Sequence, residues 1–206
     1  MSADRLAPYL RAGGGDVELA MELYVWNGRV SASLLRDLGD LEVLVRNAYD
    51  HAISTRWTGE WLVADRFPSF APMLRGGRDT NAVTREMAQR ALREAGGQGA
   101  PRGKVIANLS FGFWRSLSDR RHEHDVWTPY VRHAFQPGLA RREVDSRMEG
   151  LRQLRNRIAH HESVLARDLI RDVEQLLQLA RWISPEVADF MQARSTTAAL
   201  IHGRPT

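Results

Sequence analysis

Residues 31–57 read SASLLRDLGDLEVLVRNAYDHAISTRW, and this stretch decides the fold class. Leu34, Leu35, Leu38, Leu41, Val45, Ala48 and Ala52 recur at three- and four-residue intervals, the period of an α-helix with one buried face. Arg36, Asp37, Asp40, Glu42, Arg46 and Asp50 fall between them, and the spacing predicts a long amphipathic helix from about Ser31 to Trp57. The stretch also contains Arg46-Asn47-Ala48-Tyr49-Asp50-His51, an Arg-Asn-x-x-x-His pattern.

Upstream, Asp16 is placed to cap a helix running to about Trp26, with Asn27-Gly28 as its stop. Downstream, Gly59 to Gly77 is aromatic and proline-bearing and reads as an ordered connection. Asp79 or Thr80 starts a helix that stops at Gly96-Gly97, and Pro101 fits the first turn of the next. That helix carries Val105, Ile106, Leu109, Phe113 and Leu117. Trp127 to Phe135 is a shorter segment before Pro137-Gly138. A second long helix is expected from about Leu139 to Ser163, then one over Asp168 to Ile183 and a last over Pro185 to Arg194. No run alternates with the two-residue period of a strand. The expected fold is all-α, a single helical domain over 1–206. Its N-terminal helices cover about 1–57, its middle helices about 58–136, and its C-terminal helices about 137–195.

Composition narrows the chemistry. The chain has 206 residues, with 43% hydrophobic and 26% charged, enough for one sizeable core or two joined helical lobes. Cysteine is absent, which excludes disulfides, thiolate nucleophiles and Cys-ligated zinc. No stretch approaches a membrane span, and the N-terminus lacks a signal-peptide core, so a cytoplasmic protein is expected. The net charge is +4, and Lys104 is the only lysine among the basic residues. An arginine excess suits phosphate, because the guanidinium fork donates paired hydrogen bonds, but a GC-rich genome yields the same skew.

The Arg-Asn-x-x-x-His pattern occurs again at Arg155-Asn156-Arg157-Ile158-Ala159-His160, without wider similarity between the two halves. On a helix Asn156 and His160 share a face, whereas Arg155 lies about 140° from His160. One helix therefore makes an incomplete site. Arg46 and His51, or a second copy of the chain, would supply the missing groups. An imidazole can take the proton of an RNA 2′-hydroxyl and arginines can stabilise the charge on a pentavalent phosphate, with no metal needed. The bland alternative is a polar network bracing two helices, for either copy of the pattern. His161 and Glu162 fit a solvated face, with His161 also a candidate RNA contact. Phe111, Phe113 and Trp114 suit either core packing or base stacking. Arg120-Arg121-His122-Glu123-His124-Asp125 reads as a solvated turn. Arg120 and Arg121 there, and Arg152 upstream of the motif, are candidate phosphate contacts, and the His-x-His spacing lacks a partner cluster for a metal. Neither a metal nor a cofactor is expected.

At these residues the chain resembles the Abi-like (abortive infection) branch of the HEPN superfamily. The resemblance is carried by residues 151–162 (LRQLRNRIAHHE), 108–114 (NLSFGFW) and 38–47 (LGDLEVLVRN), the last followed by Trp57 to Trp61. It extends from about Leu6 to Ile183. It implies a HEPN-like helical bundle with additional helices, commonly dimeric, and a metal-independent endoribonuclease that acts as a toxin or antiviral defence effector. It assigns the motif's arginine, polar residue and histidine to Arg155, Asn156 and His160, and implies restraint by an antitoxin or a cognate noncoding RNA. Arg46, Asn47 and His51 form a possible second half-site on the local pattern. The main rival is a module that holds RNA without cutting it, and a further rival is a structural partner-binding protein.

Overall fold

The computed structural model describes residues 3–57, 60–62 and 67–206. The described part is all-α apart from one two-residue hairpin. The helices are α1 (Ala3–Ala12), α2 (Val17–Ser54), α3 (Ala82–Ala95), α4 (Arg102–Asn108), α5 (Phe111–Ser116), α6 (Arg141–Ala159), α7 (Leu169–Ile183), α8 (Pro185–Arg194) and α9 (Thr197–His202). The chain groups into two compact units. One joins the chain ends, Met1–Leu41 with Gly150–Thr206, and the other is Glu42–Glu149. None of the described helices is long and apolar enough to cross a membrane.

Asp16 caps α2 as expected, its carboxylate accepting from the Glu18 and Leu19 amides at 2.8 and 3.2 Å. The expected stop at Asn27-Gly28 is overturned, because α2 runs unbroken for 38 residues. A glycine inside a helix costs only about 1 kcal/mol, and tertiary contacts exceed it. Asn27 supplies one such contact: it is buried, and its Oδ1 accepts from the Val164 amide at 2.8 Å. The helix ends at Ser54, three residues short of Trp57.

In the terminal unit, Leu23, Val30, Leu34, Leu38 and Leu41 of α2 join Leu151, Leu154 and Ile158 of α6 in the core. Leu176, Leu179 and Met191 of α7 and α8 complete it. Buried Asp37 of α2 ties down α9, a helix the pattern does not foresee. Its Oδ2 accepts from the Ser195 and Thr197 hydroxyls, each at 2.6 Å. Helix α7 begins at the Asp168 cap, whose carboxylate accepts from the Arg171 amide at 3.0 Å. The Ser184 hydroxyl accepts from the Val187 amide at 3.3 Å and starts α8 one residue later, with Pro185 in its first turn.

The other unit is built around aromatic rings. Trp61 packs against Phe67 at 5.1 Å and Trp114 at 6.1 Å between ring centres, and Phe111 and Phe113 are buried with them. The NLSFGFW stretch is thus core rather than a stacking platform. Part of the 59–77 connection lies outside the described residues, as do Thr58 and Gly59 of the Trp57–Trp61 stretch. The remainder holds strands β1 (Leu74–Arg75) and β2 (Arg78–Asp79), antiparallel about Gly76 and Gly77, both at positive φ. A sequence reading without strands misses this hairpin because each strand is two residues long. The single helix expected after Pro101 is two: Leu109 turns extended and the Ser110 hydroxyl accepts from the Phe113 amide at 3.3 Å, starting α5 afresh.

Candidate functional site

The second Arg-Asn-x-x-x-His pattern sits where α6 ends. The expected continuation to Ser163 is overturned, because the helix closes at Ala159 with His161 in the left-handed conformation, φ 55°. The His161 amide donates to the Ile158 carbonyl and the Glu162 amide to the Arg157 carbonyl, both at 2.9 Å. This pair of bonds is the Schellman closure, usually made with glycine at the left-handed position. A histidine there is tolerated at some backbone cost. The closure leaves His160 and His161 in an exposed turn, with the His160 amide still making the helical bond to the Asn156 carbonyl at 2.9 Å.

That turn borders a cavity of about 1090 Å³ within the terminal unit. Its size matches the upper range of small-molecule sites. His160, His161 and Arg157 line it from the α6 end, Arg5 and Arg11 from α1, and Arg204 from beyond α9. Two carboxylates, Asp4 and Glu162, also reach it, so arginines outnumber acids on its wall. Arg157 donates to the Ser163 carbonyl at 3.1 Å and pairs with Glu162 at 3.3 Å, which steadies the turn. Arg204 stacks over Trp26 at 5.4 Å.

The floor is partly apolar. Tyr9 and Tyr24 meet edge to face at 5.3 Å, and burial raises the Tyr9 phenol above its usual value, partly opposed by the Ser163 hydroxyl. The phenol therefore stays protonated and can donate to an anion. Neither imidazole is oriented by a side-chain hydrogen bond among the described residues.

The cavity gathers His160 and His161 but not their neighbours. Arg155 and Asn156 are half-buried on α6 and do not line it, and Arg152 is likewise outside it. Arg46, Asn47 and His51 lie on the part of α2 that belongs to the other unit. There Asn47 and His51 are exposed, and the Arg46 Nε is buried without a hydrogen-bond partner. Arg120 is exposed in a 3₁₀ turn of that unit. Arg121 is committed locally, donating to the Thr80 carbonyl and to the Thr84 hydroxyl at 3.3 Å. The expected solvated turn is in part a buried one, because His122 is wholly enclosed. No His, Asp and Glu grouping among the described residues could hold a metal.

Sequence reasoning missed Arg5, Arg11, Arg157 and Arg204. Only Arg157 carried a signal, being three residues before His160 and so on its side of the helix. The others come from the two chain ends, which only tertiary folding brings together. Comparison with family models, curated proteins and solved structures found no match.

Proposed function

We propose that the chain is a metal-independent endoribonuclease of HEPN, Abi-like type, acting as a defence or toxin effector. The observation that carries this reading is the arginine-lined cavity with His160 exposed at its edge. In it the arginines hold the RNA phosphates and His160 takes the 2′-hydroxyl proton, while His161 or the protonated Tyr9 donates toward the leaving 5′-oxygen. The products are a 2′,3′-cyclic phosphate and a 5′-hydroxyl. Arg155 and Asn156 act from the neighbouring face of α6, and Arg46, Asn47 and His51 repeat the sequence pattern as a candidate second half-site.

A homodimer belongs to the same reading. Met21, Val25, Gly28, Ala32, Leu35 and Gly39 are all exposed on α2 and alternate at intervals of four and three residues, a coiled-coil seam. In an antiparallel pairing of two copies, Met21 faces Gly39, Val25 faces Leu35 and Gly28 faces Ala32. Val25 and Leu35 pack as an apolar pair, Gly28 and Ala32 let the two backbones approach at the centre, and Glu22 comes near Arg36 on the flank. Val25, Gly28, Ala32 and Leu35 also line the cavity, so such pairing would cover its open side with a second copy.

One observation favours the rival in which RNA is held and not cut: among the described residues, no side-chain hydrogen bond fixes the tautomer of His160. Labelled single-stranded RNA incubated in EDTA separates the two. Wild type is expected to cut it and leave cyclic phosphate ends, and His160→Ala to be slower by about 10²–10⁴-fold, the contribution of a general acid or base. DNA should resist, lacking the 2′-hydroxyl. Tight binding by both proteins with no cutting by wild type overturns the ribonuclease in favour of the RNA-holding module. Neither binding nor cutting points to a protein-binding role.

A further inference from the structure

The unit formed by Glu42–Glu149 carries a basic and aromatic surface that the motif does not use. Arg56 follows the end of α2, and its Nη1 donates to the Ala52 carbonyl at 3.4 Å and the Thr55 hydroxyl at 2.9 Å. Arg132 and His133 stand on a 3₁₀ turn, Val131–Ala134. The Arg132 Nε donates to His133 Nε2 at 3.4 Å. The Trp57–Tyr130 contact, 5.8 Å between ring centres, brings the chain at Arg56 beside the turn that carries Arg132 and His133; loss of hydration, then the positive charges of Arg56 and Arg132, lower the His133 pKa.

All three side chains are exposed, and neither arginine has a carboxylate partner among the described residues. Beside them Trp57 meets Tyr130 edge to face at 5.8 Å, and Phe67 braces Trp57 from within at 5.2 Å. Both outer rings remain half exposed. Like charges gathered on one ring repel, and an anion placed among them reverses the sign of that interaction. Half-exposed rings at the edge of such a cluster give a base a face to stack on. Phosphate and an open base face occur together in an unpaired polynucleotide.

We propose that Arg56, Arg132 and His133, with Trp57 and Tyr130 beside them, form a docking site for single-stranded nucleic acid. The two guanidinium groups hold phosphate and the rings take a base. This rests on the reading of the chain as an RNA-handling protein, but it concerns holding rather than cutting. Nothing in the arrangement reads a 2′-hydroxyl, so the surface takes RNA and DNA alike.

The test uses the full chain carrying His160→Ala, so that cleavage does not intrude. Binding of a fluorescein-labelled uridine 12-mer and its deoxy counterpart is followed by anisotropy across a salt series. Arg56→Gln with Arg132→Gln removes two phosphate contacts. On a single strand this lowers the salt slope by about 1.4 and the affinity by about 25-fold at 0.1 M salt, at about 0.7 per contact. Arg56→Lys with Arg132→Lys keeps the charges and should keep the slope. Circular dichroism confirms that both variants fold.

Unchanged affinity and slope in the folded glutamine variant overturn the docking site, whether or not the wild type cuts RNA. Equal losses in the glutamine and lysine variants overturn it too, because they report a structural role. A phosphoserine peptide that displaces the oligonucleotide at lower concentration overturns it in favour of a protein ligand. Loss of binding only in the glutamine variant supports it, even if wild type fails the cleavage assay and the ribonuclease reading falls.

Discussion

Replacing Asn27 by alanine tests whether α2 holds the turn that carries His160. Asn27 is 7% exposed, and its single described side-chain bond accepts from the Val164 amide at 2.8 Å. A buried hydrogen bond contributes about 1 kcal/mol net, but loss of one partner leaves the other unsatisfied. Val164 is fully buried, and its amide left without this acceptor incurs a desolvation cost of about 1–3 kcal/mol. Alanine's better helix propensity returns about 0.5 kcal/mol. The expected net loss is about 2 kcal/mol. With a urea slope of about 2 kcal/mol per molar, the unfolding midpoint falls by about 1 M. Under native conditions the segment from His160 to Val164 loses its anchor, so ligand affinity at the cavity falls as well. Asn27→Asp retains an acceptor but buries a charge, and should be at least as destabilising. A midpoint shift below about 0.25 M for Asn27→Ala, or tighter ligand binding, would refute the argument.

His161 occupies a left-handed position that glycine fills without strain, so His161→Gly should match or exceed wild-type stability by up to about 1 kcal/mol. His161→Val should lose about 1–2 kcal/mol, and equal urea midpoints for the two would contradict the Schellman assignment. Burial lowers the His122 pKa, so the folded state resists the proton that the unfolded chain accepts near the ordinary histidine value. Stability should therefore fall as pH drops below about 6.5 toward the depressed folded value, and His122→Gln should flatten that part of a urea-midpoint profile. An unchanged slope in the variant would assign the acid sensitivity elsewhere. Ala32→Glu puts a charge at the centre of the α2 seam. If two copies pair there, light scattering should show wild type as a dimer and the variant as a monomer, with circular dichroism unchanged; a monomeric wild type refutes the pairing.

Features set by local chemistry were legible in the sequence. Asp16, Asp168 and Pro185 mark helix starts where the pattern places them, and Gly96 stops α3 in the left-handed conformation, φ 119°. Each acts within a few residues of itself. The misreadings share a different cause. Asn27-Gly28 has the composition of a stop, yet Asn27 spends its side chain on a residue 137 positions away. Leu109 has the spacing of one continuous helix, but the Ser110 hydroxyl competes for the Phe113 amide and starts another. The end of α6 went unseen because histidine, unlike glycine, seldom marks a left-handed stop. The cavity was half legible: His160 stood out, whereas Arg5, Arg11 and Arg204 had no sequence neighbourhood to mark them.

The Arg-Asn-x-x-x-His pattern is a linear count, and its geometry changes at the point where the helix stops. Within α6, Arg155 and Arg157 are two residues apart and so about 200° apart around the axis. A wall that includes Arg157 therefore turns Arg155 toward the opposite side. His160 caps the helix, its amide still bonded to the Asn156 carbonyl, and follows Arg157 by three residues on the same side. The imidazole and Arg157 can thus serve one cavity while Arg155 and Asn156 serve a neighbouring surface. If Arg155 proves indispensable for cutting, the substrate must reach around α6 rather than fill the cavity alone. The spacing in the sequence then describes two faces joined by one helix end, with the closure at His161 setting the angle between them.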